Sequence, residues 1–107
     1  MNKISELNDL LIMNTCLRSL SIQMNPNDLS YDMFLILSKT EEANSEQVSV
    51  FFLDISSFQS NTIGGYLTQF MHLRVQECKS GWERVNFQLN ELEDNKISFN
   101  FSSFEIF

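Results

Sequence analysis

Val48-Ser49-Val50-Phe51-Phe52-Leu53-Asp54-Ile55, read with Tyr31-Asp32-Met33-Phe34-Leu35-Ile36-Leu37 before it, decides the fold of this chain. Both runs are shorter than an ordinary globular helix of about 10–12 residues, and both are rich in β-branched and aromatic side chains that suit a pleated backbone. Each is apolar at consecutive positions, so each presents apolar side chains to both faces. That pattern belongs to strands in the middle of a sheet that is covered on both sides.

Working outward, the same period of two recurs. Toward the N-terminus, Leu20, Ile22 and Met24 alternate with Ser19, Ser21 and Gln23, a half-buried strand. Asn25-Pro26-Asn27-Asp28 supplies a turn, because proline fixes φ and Asn and Asp tolerate turn conformations. Further upstream, Ile4, Leu7, Leu10 and Leu11 fall at helical spacing, with Ser5, Glu6 and Asp9 early in the run, which predicts a short amphipathic helix over 4–12. Glu41 to Glu46 is a polar loop.

Toward the C-terminus, Ser56 to Asn61 reads as a loop, and Gly64-Gly65 marks a bend or positive φ. In the strand expected next, Leu67, Gln69, Met71, Leu73 and Val75 share one parity, and Thr68, Phe70, His72 and Arg74 the other. Lys79-Ser80-Gly81 turns the chain into Val85, Phe87 and Leu89. Glu93-Asp94-Asn95-Lys96 is a tight acidic turn into Ile97, Phe99 and Phe101. Phe104 and Ile106 are out of phase with these, which places a bulge or bend at Ser102-Ser103. The sum is an α+β, β-rich domain: an antiparallel sheet of about six strands, two-layered or partly closed, with one short N-terminal helix.

Composition bounds the rest. The chain has 107 residues, enough for one domain and one core, so a single domain over 1–107 is expected. Fourteen Asp and Glu against seven Lys and Arg give a net charge of −7, and 43% of residues are hydrophobic. Disorder is excluded by that apolar content. The seven cations are scattered singly from Lys3 to Lys96, so no basic groove forms to bind nucleic acid or an anionic membrane surface. No stretch approaches the ~20 apolar residues of a membrane-spanning helix, and Lys3, Glu6 and Asp9 interrupt any export signal. With only Cys16 and Cys78, a disulfide framework is not expected, and a cytoplasmic location follows, with both thiols reduced.

Catalytic patterns are weak. His72 is the single histidine, so any Ser-His-Asp or Cys-His arrangement passes through it; a strand histidine on a partly solvated face is the favoured account of it. One His and two distant Cys cannot close a four-coordinate zinc site, and Glu91, Glu93 and Asp94 lack the glycine and spacing of a calcium loop. No metal, cofactor or enzymatic activity is therefore expected. Trp82, the single tryptophan, suits either core packing or an interface anchor. Acids gathered around turns, namely Glu83, Glu91, Glu93 and Asp94, suit a solvated acidic face or contact with a basic partner.

Ile63-Gly64-Gly65 before a strand, Gly81-Trp82-Glu83-Arg84-Val85-Asn86-Phe87, the acidic turn Glu91, Glu93, Asp94 leading to Ile97-Ser98-Phe99, and a closing Phe104-Glu105-Ile106 follow one another in order. In this the chain resembles small bacterial immunity proteins of polymorphic-toxin and contact-dependent growth inhibition systems. The resemblance covers residues 63–107; the first 60 residues share only the helix-then-strand pattern. It implies a cytoplasmic, non-enzymatic binding protein that neutralises a basic, nuclease-type toxin domain, and it carries over no site residue. Two alternatives stand beside it. One is an assembly protein, such as a homodimer, joined through a strand edge or the Phe-rich C-terminus. The other is a small ligand-binding or hydrolase domain using His72.

Overall fold

The computed structural model describes residues 3–78 and 85–107. In chain order the elements are α1 (Lys3–Met13), β1 (Cys16–Asn25), β2 (Ser30–Ser38), β3 (Gln47–Leu53), β4 (Ser56–Ser60), β5 (Leu73–Glu77), β6 (Phe87–Glu91), β7 (Ile97–Phe101) and β8 (Ser103–Ile106). The eight strands form two antiparallel four-stranded sheets, ordered β1-β2-β3-β8 and β4-β7-β6-β5. The domain is α+β and β-rich, as expected, and neither sheet closes into a barrel.

The strands that decided the reading, β2 and β3, are the two central strands of the first sheet, with Met33 opposite Phe52 and Leu35 opposite Val50. Met33, Leu35, Leu37, Val50 and Phe52 are fully buried on the inner face. Across the interior, Phe52 meets Phe99 and Phe101 of the second sheet edge-on, at ring separations of 5.0 and 4.8 Å. Aromatic rings in this orientation set positive edges against negative faces and lock two layers in register. The expectation of cover on both sides is corrected: Phe34, on the outer face, stays partly exposed, its ring beside those of Phe51 and Phe107.

Two boundaries also differ from expectation. Ser56–Ser60 is an edge strand instead of a loop. The fifth strand begins at Leu73, not Leu67, because the parity reverses at Met71-His72: Thr68 and Phe70 are buried before it, Leu73 and Val75 after it. The bend expected at Ser102-Ser103 is present at Ser102, where it carries the chain from the second sheet into the first, so β8 pairs with β3, Phe104 opposite Phe52.

Helix α1 closes one lateral seam of the sandwich. Leu7 and Leu11, one turn apart, are fully buried in the core. Asn8 lies against the β5 edge, where its Nδ2 donates to the Val75 carbonyl at 3.1 Å and its Oδ1 accepts the Val75 N–H at 2.8 Å. The first turn flanks β8 across a groove lined by Lys3, Glu6, Phe104 and Ile106. The opposite seam, between β1 and β4, carries no helix among the described residues and forms a groove of about 600 Å³ lined by Leu17, Leu20, Phe58 and Leu67 among others. No helix among the described residues is long and apolar enough to cross a membrane.

Candidate functional site: an acidic loop end

Alternation along β6 turns Leu89 and Glu91 to the same inner face, and both are buried. A carboxylate placed there must have its lone pairs filled. The turn that follows fills them: Glu91 Oε2 accepts the N–H of Glu93 at 2.9 Å, and Oε1 accepts those of Asp94 and Lys96 at 2.8 and 3.2 Å. Burial pushes the Glu91 carboxyl up, but the backbone N–H groups of Asp94, Glu93, Lys96 and His72 together hold it below its ordinary range. Asn95 takes φ 54°, a left-handed position that Asn tolerates better than most residues. The turn is thereby built around one side chain.

Glu91 is thus no surface contact, a correction to the expected set; its carboxylate is spent internally. Glu93 and Asp94 are exposed at the tip. Trp82 and Glu83 lie outside the described residues. Lys96 donates from Nζ to the Gln69 carbonyl at 3.0 Å and stands 3.9 Å from Asp94. The Leu92 N–H donates to the His72 carbonyl at 2.8 Å, docking the turn on the 69–72 segment. Leu92 and Met71 expose apolar surface beside it.

Two more loops converge on this end. The Leu17 N–H donates to the Thr68 carbonyl at 2.9 Å, and the Phe70 N–H to that of Thr15 at 2.8 Å. Arg18 reaches the other way, donating to Ser38 Oγ at 2.7 Å, to the Thr40 carbonyl at 2.9 Å and to the Glu42 carbonyl. The loop carrying exposed Glu41 and Glu42 is tied down by this one guanidinium.

Tyr66 stands out of the connection between β4 and β5 with 96% of its surface exposed. It is presented by Gly64 and Gly65, at φ +100° and +86°, which agrees with the positive φ expected there. Open space surrounds both, so backbone conformation and not crowding demands glycine. The Gly64 N–H donates to the buried Thr68 hydroxyl at 3.0 Å, which anchors the turn. Sequence reasoning passed over Tyr66. The signal was an aromatic residue directly after two glycines, where no strand had yet begun to bury it.

His72 is half-buried, and among the described residues no side chain hydrogen-bonds its imidazole. No group of three His, Cys, Asp or Glu among the described residues is arranged to hold a metal ion. Cys16 is buried, with Sγ 3.8 Å from the Lys39 carbonyl, and Cys78 is half-buried; both are free thiols. What the loop end offers is a pre-ordered surface: exposed Glu93 and Asp94 with exposed Leu92 and Met71, and the Tyr66 ring presented by another loop at the same end. Comparison with protein-family models, curated proteins and solved structures finds no match for the chain.

Proposed function

We propose that this protein is a non-enzymatic, cytoplasmic binding module, an immunity protein that sequesters and neutralises a basic toxin domain of the nuclease type. The observation that carries the reading is the acidic turn whose shape is fixed in advance by Glu91. Glu93 and Asp94 at its tip offer charge without a folding cost on binding, because the backbone beneath them is already held. Tyr66, Leu92 and Met71 supply the apolar contact that acids alone do not, with Tyr66 in the anchoring role first considered for Trp82. The −7 net charge steers a basic partner toward this surface and repels nucleic acid that would compete for it.

Capture from the native host with tagged protein at low salt is expected to recover one basic domain in stoichiometric amount, released by moderate salt. Against that domain, Glu93→Lys with Asp94→Lys is expected to slow association by about tenfold or more and to flatten its salt dependence. Tyr66→Ala is expected to speed dissociation. If charge reversal leaves both affinity and salt dependence as they were, the acidic turn is not the contact surface.

A further inference from the structure

The four sheet edges of this molecule are protected unequally. β5 is closed by the Asn8 amide, which takes both the N–H and the carbonyl of Val75. β4 is short and irregular, with Ser57 at φ 51° and a register shift between Ser56 and Gln59. β8 is four residues long, carries Glu105 and lies beside the first turn of α1. These are the ordinary ways of keeping an edge from pairing with another chain.

β1 has such protection only at its start. Cys16 is bridged by Gln69, and the bulge between Leu17 and Ser19 sits next to it. The Arg18 guanidinium, which could have discouraged pairing, is drawn off to the Thr40 and Glu42 carbonyls. From Ser19 to Asn25 the strand reads Ser-Leu-Ser-Ile-Gln-Met-Asn, with no charge, glycine or proline. Among the described residues no strand pairs along the outer edge of this stretch. Ile22 is 39% and Met24 49% exposed, although both lie on the face that carries the core.

We propose that β1 pairs with β1 of a second copy of this chain, antiparallel about a two-fold axis at Ile22, joining the two β1-β2-β3-β8 sheets into one. The alternation is self-complementary about that residue. Ile22 falls opposite its own counterpart, Leu20 opposite Met24, Ser21 opposite Gln23 and Ser19 opposite Asn25, so apolar meets apolar and polar meets polar at every pair. The lengths agree as well. The second copy's Asn25 lies opposite Ser19, and its chain turns away at Pro26 before reaching the slot that Gln69 holds beside Cys16.

Charge selects a second copy over other surfaces of the same protein. At −7 the chain repels itself, so two copies can approach closely only along uncharged surface. The seam supplies it: the nearest acid on β2, Asp32, sits opposite Gln23 and is occupied by the Asp54 N–H at 2.9 Å. This seam uses none of the acidic turn, so the Glu93→Lys, Asp94→Lys variant remains dimeric.

Sedimentation of the full chain over a concentration series tests the seam. The wild type is expected to dimerise, and Ile22→Lys and Ile22→Glu each to lose the dimer, because a two-fold axis sets each new charge against itself. Mixing the two variants is expected to restore a dimer of one copy of each, an outcome open only to folded chains. Hydrogen exchange on the wild type supplies the second readout, with the amides of residues 19–25 slowing as concentration rises. A wild type that stays monomeric, a dimer that survives Ile22→Lys, or protection that ignores concentration would each overturn the proposal.

Discussion

A carboxylate buried to 1% exposure is costly unless hydrogen-bond donors surround it, and Glu91 meets that condition with the backbone of its own turn. Glu91→Ala leaves the N–H groups of Glu93, Asp94 and Lys96 without their acceptor and is expected to cost about 3 kcal/mol in denaturant unfolding. Acid has a related effect of known sign. Its backbone donors hold the folded carboxyl below its ordinary value, so the unfolded chain binds the proton more readily. The stabilisation is fully present above that ordinary value and is lost as pH falls through the lower, folded one. Glu91→Gln is therefore expected to flatten the acid limb of a stability-against-pH curve; an acid limb identical to that of the wild type would rule Glu91 out as its source. Read from the sequence, Glu91 fell among the surface acids, although it shares one parity with Phe87 and Leu89, the signal that it aims inward. What the pattern did not reveal was the acceptor role, because nothing in a string of residues shows which N–H groups a turn will fold back.

The elements divide by how strongly their own side chains specify them. β2 and β3 are dense in apolar residues and were legible from their short, unbroken apolar runs. β4 was not: Ser56-Ser57-Phe58-Gln59-Ser60 has a single apolar residue and four polar ones, and it is a strand only because β7 supplies the pairing. The Leu67–Val75 reading failed for a different reason. A one-residue phase change at Met71-His72 lets Phe70 enter the core while its N–H bonds to Thr15 beside the first sheet, and tertiary contact, not local preference, fixes that change. Helix α1 was read from its leucines, yet its most specific contact is polar. Asn8 imitates a peptide group against Val75, so Asn8→Ala removes two hydrogen bonds and is expected to lower stability by about 1–2 kcal/mol. The amide exchange of Val75 should quicken more than that of Leu89, whose strand lies between two others. Equal acceleration at both would mean that Asn8 acts on the whole fold and not on the edge.

At the scale of the molecule, a cluster of aromatic rings joins the two sheets through the core. Phe52 enters from the centre of one sheet and meets Phe99 and Phe101 of the other, while Phe101 also stacks on Phe87 at 5.3 Å and touches Phe104 at 6.1 Å. The ring cluster therefore spans β3, β6, β7 and β8, and it joins the strand that begins the first sheet's C-terminal pairing to the last strand of the chain. Phe52→Ala empties the middle of this cluster and is expected to cost about 3–5 kcal/mol, a large share of the roughly 5–15 kcal/mol that holds an ordinary domain folded. Phe52→Leu keeps most of the volume and is expected to cost less than half as much. The edge-on geometry makes a sharper claim than burial does. If the ring pair contributes beyond the area it hides, a double-mutant cycle of Phe52→Leu with Phe99→Leu will show a coupling of about 0.5–1.5 kcal/mol. Additive losses would mean that the two sheets are held by apolar area alone, and that the orientation of the rings follows from the packing instead of directing it.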